Sequence, residues 1–418
     1  MMVTRRRLIE GGFLAGAAIA SGCFSSQNAS QEAPFWTQVR EAFPTRSGTI
    51  SLLHTGGGAT PTATLEQLAS YQDAMASGRG YSDPVLASLK ESGSSEALRI
   101  RMAKAFGCEK DEIALTRNAM EGLAIGLLGI DLEPGDEVLT TDADYDSCIK
   151  ILQQRAARDS IRVKIIDIPM PSSRDEDVVD AFEAACTDRT KLILLCHMYN
   201  KNGQILPIRK VCDMARRKGI TTLVDGAQSI GHFDFRISDL NCDMFAASLH
   251  KWFYAPRGTG VFYVRRDRIE SIWPIWASWS GKPADSIEKF EDFGTVSKAV
   301  SASLASVFEF NDRIGAARKE NRLRELRDLW IEPLLQTGRV SLLTDLSPSR
   351  SCGITAFKVD GIEADYLANL MRHEHNIDIG SIHLQDKPEF VGNYLAADLT
   401  NSPTDFDRFL DAFSTIAT

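Results

Sequence analysis

From about residue 95 to residue 266 the chain alternates short apolar runs with amphipathic stretches of ten or more residues. That alternation restricts it to helices packed on both faces of a mostly parallel sheet, because parallel strands buried on both faces read as continuous apolar runs. The expected strands are 136–141 (DEVLTT), 162–169, 191–198 (KLILLCHM), 220–227 (ITTLVDGA), 243–248 and 259–266. The expected helices between them are 95–107, 118–129, 148–159 and 208–219, the first and last ending on Gly107 and Gly219. After Lys298 the pattern changes. Residues 297–336 predict long helical structure, followed by a strand (352–360), a helix (363–376), two strands (377–384 and 393–400) and a last helix opened by Ser402-Pro403-Thr404-Asp405. Ser at the cap, Pro in the first turn and Asp three residues after the cap are a helix-start signature. The expected organisation is a segment 1–30 outside the fold, a large domain over 31–310 and a smaller α+β domain over 311–418, the boundary falling within 298–345.

The net charge of −9 excludes a basic nucleic-acid surface. Eight cysteines are scattered without any C-x-x-C pair, which argues against a zinc or thioredoxin-like site and favours buried free thiols. His54-Thr55-Gly56-Gly57-Gly58 is glycine-rich, but no strand–G-x-G-x-x-G–helix unit surrounds it, so a nicotinamide site gets little support.

The N-terminus reads as an address. Arg5-Arg6-Arg7 precedes a mild apolar run, Gly11 to Ala20, too short to span a bilayer. Thr4-Arg5-Arg6-Arg7-Leu8-Ile9 resembles a twin-arginine export motif. Ala18-Ile19-Ala20 offers an ordinary cleavage site, whereas Ala20-Ser21-Gly22-Cys23 resembles a lipoprotein box. The expectation is export through the twin-arginine machinery to the periplasm or cell surface, as a soluble protein cut at Ala20 or one lipid-anchored at Cys23. Residues 24–32 (FSSQNASQE) read as a polar tether.

Chemistry concentrates in LVDGAQSIGHFDFRISDLNCDMFAASLHKWFYAPRGTG. Asp225 ends an apolar strand, the place where open α/β sheets bind ligands. Lys251 follows another strand 26 residues later (251 − 225). Pyridoxal phosphate (PLP) chemistry needs this pair: an amine to hold the cofactor aldehyde as a Schiff base, and a carboxylate to keep the pyridine nitrogen protonated. Asp225-x-Ala227-Gln228 followed by Ser248-x-His250-Lys251 resembles the core motif of the class V aminotransferase family, and the resemblance runs from about Leu52 to the C-terminus. It implies a PLP fold type I large domain with a smaller C-terminal α+β domain, PLP as cofactor and no metal.

Residue by residue, the resemblance makes Lys251 and Asp225 catalytic. Thr116 to Gly122 resembles a phosphate loop opening a helix, so that the N–H groups of Ala119 and Met120 face the phosphate, and Ser248 and His250 of the core motif are implied as cofactor-binding. Tyr145 takes the place of an aromatic that stacks on the pyridine ring. Asn200, beside Gln228, would bond near the phenolic oxygen. Phe293-Gly294-Thr295 resembles a pair that reaches the neighbouring subunit's phosphate, implying a homodimer. Two departures bear on the substrate. Tyr394 and Gly380 stand where members acting on α-amino acids keep arginines for the substrate carboxylate. Residues 381–385 (SIHLQ) contain no cysteine, which argues against a desulfurase. Trp273, Trp276 and Trp279, spaced by three, fit either a substrate-side loop resembling that of the isopenicillin N epimerase-like branch or a buried helical edge. The expected activity is a PLP-dependent reaction of an amine or amino acid, epimerase- or aminotransferase-like. The alternatives are a PLP-dependent lyase and a binding protein that has lost turnover.

Overall fold

The computed structural model describes residues 32–44, 48–78, 80, 82–172, 174–277, 281–384 and 387–416. The export motif, Cys23 and Trp279 therefore lie outside the described residues.

Seven strands form the central sheet: β2 (Ile113–Thr116), β3 (Glu137–Thr141), β4 (Arg162–Ile166), β5 (Thr190–Cys196), β6 (Thr221–Asp225), β7 (Met244–Ser248) and β8 (Gly260–Val264). Their spatial order is β2-β8-β7-β6-β5-β3-β4, and β8 alone runs opposite to the other six. This is the α/β, mostly parallel architecture that the apolar runs require. Every residue of β6, β7 and β8 is buried, as a sheet covered on both faces demands. One apolar cluster, with Val224, Phe245 and Val211, fills one side of the sheet. The other, with Leu123, Leu192, Leu223 and Phe262, fills the opposite side.

The helices begin with α1 (residues 32–41), α2 (Thr62–Ala76), α3 (Pro84–Ser92), α4 (Ser95–Phe106) and α5 (Ala119–Gly129). They continue with α6 (Asp146–Asp159), α7 (Asp175–Ala185), α8 (Ile208–Arg217), α9 (Lys298–Ile314), α10 (Ala316–Gln336), α11 (Ala364–His375) and α12 (Pro403–Ile416). The long helical stretch is two helices, because Gly315 at φ +82° breaks it. At the start of α12 the Asp405 carboxylate accepts from the Ser402 N–H at 2.9 Å, half of a capping box.

A second, antiparallel sheet has the order β12-β13-β10-β9, from β9 (Val340–Leu342), β10 (Ile354–Val359), β12 (Gly380–Leu384) and β13 (Lys387–Ala396). The expected strand 377–384 is instead two, split at Ile379. Its first part, β11 (Ile377–Asp378), pairs in parallel with β1 (Ile50–Ser51), so chain from before the large sheet is stitched beside the small one. The last strand begins earlier than its apolar run and leaves the sheet at Ala396, after which Asp398 holds a turn by accepting from Thr400. Strand β2 and helices α2, α3 and α7 carry sequence signals too short or too polar to stand out.

Candidate active site

The carboxyl ends of the parallel strands converge on a cleft of about 370 Å³. Each strand delivers a few residues there. After β3 come Ala143 and Tyr145; from β5 onward, Cys196 and Asn200; from β6, Asp225 and Gln228; from β7, Ser248, His250 and Lys251. The first turn of α5 adds Ala119 and Met120. Nine of the ten residues singled out in the sequence thus line one cavity. The tenth, Thr295, is exposed and lies outside its own chain's cleft.

Asp225 is 8% exposed, and one carboxylate oxygen accepts from the Ala227 N–H at 2.9 Å. Burial pushes its pKa up, against the opposing pull of that N–H and of the Lys251 charge. Burial pushes the Lys251 amine down, toward its neutral nucleophilic form, opposed by Asp225. No carboxylate forms an ion pair with Lys251 among the described residues.

The α5 N-terminus leaves one donor free. Asn118 caps the helix by accepting from Glu121 N at 3.0 Å, and Ser248 Oγ accepts from Ala119 N at 2.9 Å. Ala119, expected at the phosphate, lines the cleft with its N–H bonded to Ser248. Among the described residues the Met120 N–H has no acceptor and is the donor left for an anion. His250 Nδ1 is buried without a partner, and burial, followed by the Lys251 charge, pushes this imidazole down.

Gln228 is held at three atoms. Its amide nitrogen donates to Thr55 O at 2.9 Å, its amide oxygen accepts from Trp252 Nε1 at 2.8 Å, and its carbonyl bonds His232 at 2.9 Å. Tyr145 is 48% exposed at the mouth of the cleft. Behind it Asp144 is buried, and burial pushes its pKa up to about 7 despite hydrogen bonds from Thr140 and Thr141. One of its oxygens is left without a partner, which suits a protonated carboxyl.

Sequence reasoning missed the glycine segment. Thr55 and Gly56 line the cleft, Gly58 N donates to His250 O at 2.8 Å, and a Cβ on Gly58 would lie 2.3 Å from the Lys251 carbonyl. The glycine run was the signal: at Gly58 the backbone approaches the lysine loop so closely that no side chain fits. One further reading is corrected. Residues around Trp273 and Trp276 are not helical, and both rings are exposed, so the buried helical edge is excluded. Trp276 instead packs edge-on to Phe293 at 6.5 Å, with the Arg117 guanidinium over both rings. Arg372, the nearest arginine to the absent carboxylate clamp in sequence, is bound to Asp378 at 2.7 Å.

Gly380 and Tyr394 are directly paired across β12 and β13, and a Cβ at 380 would sit 2.0 Å from the tyrosine ring. The two departures are therefore one: a tyrosine at 394 requires glycine at 380. The Tyr394 hydroxyl lies 3.4 Å from Thr55 Oγ1, at the wall of the cleft.

These residues fit PLP. The cleft holds a buried carboxylate and, among the described residues, an amine without an acid partner, a free helix N–H and a buried imidazole nitrogen that lacks a partner.

Comparison with known proteins agrees. The family model described as aminotransferase class-V matches residues 51–383. The isopenicillin N epimerase of Streptomyces clavuligerus is 27% identical over 88% of this chain and 95% of its own. A probable cysteine desulfurase of Xylella fastidiosa (strain Temecula1) is 28% identical over 66% of this chain and 68% of its own. Among solved structures, a C-DES mutant with glycine covalently linked to the PLP cofactor superposes with a TM-score of 0.77 at 24% identity, covering 89% of this chain and 98% of its own. The chain belongs to the class V aminotransferase family and is a PLP-dependent enzyme.

Proposed function

We propose that this enzyme moves a proton at the carbon next to the substrate nitrogen of an amine or amino acid, with an epimerase- or aminotransferase-like outcome. The observation that carries the reading is Lys251 and Asp225 lining one cleft, the amine pushed toward neutrality and the carboxylate buried. When bound, PLP supplies an electron sink conjugated to that carbon. Lys251 would hold the cofactor and then exchange the proton. Asp225 would keep a proton on the ring nitrogen, and Met120 N–H, Ser248 and His250 would meet the phosphate. Tyr145 and Asn200 would bound the ring. A lyase is the second reading, supported by the cysteine desulfurase relative. Against desulfuration, residues 381–384 are Ser, Ile, His and Leu.

The substrate is not a small α-amino acid gripped by arginines of the small sheet. The support is Tyr394 packed over Gly380, with Arg372 committed to Asp378. A guanidinium fork gives two charge-assisted bonds, whereas a tyrosine gives one neutral donor. Hydrogen bonds to charged groups contribute about 1.5–3 kcal/mol each, so losing the clamp weakens small amino acids by about tenfold or more. Steady-state kinetics across alanine, glutamate, aromatic amino acids, esters and simple amines tests this. Aromatic or esterified substrates are expected to lead, and high efficiency on alanine or glutamate refutes it.

We propose further that the enzyme works as a homodimer, Thr295 reaching the second copy's cleft; its exposure supports this. We also propose export by the twin-arginine route, a reading that rests on Arg5-Arg6-Arg7 and the apolar run after it. Replacing Arg5 and Arg6 by Lys is expected to hold PLP-loaded protein in the cytoplasm, measured by fractionation. Unchanged export defeats the reading. Fatty-acid labelling of wild type against Cys23→Ala separates the anchored form from the soluble one.

A further inference from the structure

His232 belongs to no part of the chemistry above, yet both its ring nitrogens and its ring face are engaged. The ring is 1% exposed and stacks on Trp252 with centroids 3.6 Å apart and planes 18° from parallel. Gly353 N–H donates to Nε2 at 2.9 Å. An N–H can only donate, so Nε2 must carry the lone pair. The ring proton then sits on Nδ1, which donates to Gln228 O at 2.9 Å. One tautomer satisfies both bonds. Charging the ring would set two N–H groups against each other at Nε2, and burial, with the Lys319 and Arg324 charges facing the ring, keeps the imidazole neutral by pushing its pKa down to about 3.

The two ends of this bridge differ in kind. Gly353 stands just before β10, an inner strand of the smaller sheet, and a Cβ there would sit 3.1 Å from Nε2. Gln228, at the other end, belongs to the cleft. Gln228 lines it and holds Thr55, while Trp252 follows Lys251 directly and donates to Gln228 at 2.8 Å. The Trp252 carbonyl accepts from the buried Lys319 ammonium, which fixes the far side of the same residue.

We propose that His232 is a positioning residue: the Gly353 bond fixes its tautomer, and its Nδ1–H then holds Gln228 and, through the stacked ring, the Lys251–Trp252 segment, setting the geometry of the lysine and of the cleft wall. This rests on Lys251 carrying PLP. The role is independent of substrate identity, because it acts on the protein groups that hold the cofactor.

Three substitutions divide the bridge. His232→Phe keeps the stack and removes both hydrogen bonds. His232→Asn places an amide N–H near Nδ1 and keeps the Gln228 bond. His232→Gln keeps an acceptor for Gly353 and loses the donor to Gln228. The readouts are the pH titration of the visible absorption of lysine-bound cofactor, the rate at which methoxyamine captures that cofactor, and the thermal melt. His232→Phe is expected to shift the absorption titration and to speed methoxyamine capture by about tenfold, the effect of one lost hydrogen bond, while cofactor content is retained. His232→Asn is expected to stay close to wild type in both. Should His232→Phe fail to fold, His232→Gln against His232→Asn makes the same comparison. Wild-type titration and capture rate in the variant without the Gln228 donor overturn the proposal, as does an Asn variant no better than the donor-less one. A wild-type protein without the visible band would sink the cofactor assignment and the positioning role with it. A wild-type band indifferent to losing the Gln228 donor sinks the positioning role alone.

Discussion

Lys251→Ala is expected to leave the fold intact, to abolish covalent attachment of PLP and to cut turnover by about 10⁴-fold or more. The fold should survive because the side chain makes no hydrogen bond or ion pair among the described residues; what it holds is room beside Asp225 and under the glycine segment. The loss of turnover combines two roles, nucleophile to the cofactor aldehyde and base for the substrate proton, the second alone contributing about 10²–10⁴-fold in typical enzymes. Both roles need a neutral amine, and burial pushes Lys251 in that direction. The variant also perturbs its neighbour. The Lys251 charge is one of two influences holding Asp225 down, so removing it drives that carboxylate further up. Borohydride reduction followed by peptide mapping checks the assignment directly. Wild type should carry the cofactor on the peptide containing Lys251, and label on another lysine would overturn it.

Lys251 and Asp225 were legible in the sequence because each follows an apolar run, and a buried parallel strand announces itself and its carboxyl end. Strands β5, β6 and β7 therefore fixed most of the cleft. What escaped depended on contacts between segments far apart in the chain. The role of His54-Thr55-Gly56-Gly57-Gly58 is invisible until Gly58 meets the Lys251 carbonyl 193 residues on (251 − 58). The availability of Ala119 N–H depended on where Ser248 Oγ points, which no local pattern encodes. Gly380 and Tyr394 read as two separate departures until the β12–β13 register stacked one on the other. The tryptophan spacing was compatible with helical period, but Pro274 interrupts the segment, which is irregular with Trp273 and Trp276 exposed.

Asp225→Asn is expected to lower turnover on the order of 10²–10³-fold while leaving the protein without cofactor at least as stable as wild type. The two effects have opposite signs for one reason. Burial raises the Asp225 pKa above its ordinary value, so ionising it in the empty cleft opposes folding. A raised acid contributes stability that is complete below its unfolded pKa and is lost as the pH rises through its folded one. At neutral pH and above, the neutral amide escapes that cost, and its oxygen can still accept from the Ala227 N–H. The same burial makes the carboxylate a strong partner for a protonated ring nitrogen, since a charge pair sheltered from water is screened little. An amide cannot hold that proton as a carboxylate does. The electron sink weakens by the few kcal/mol that a preorganised polar group contributes at such a site, at about 1.4 kcal/mol per tenfold in rate. Thermal melts of the cofactor-free forms at pH 8, set beside kcat of the loaded forms, read both signs in one pair of variants. Asp225→Ala separates them further, because it removes the acceptor for Ala227 as well and should lose the gain in stability while keeping the loss in rate. Wild-type turnover in Asp225→Asn would mean that the ring-nitrogen partner lies elsewhere. A cofactor-free melt well below wild type would mean that the carboxylate is ionised at little cost, its Ala227 bond outweighing its burial.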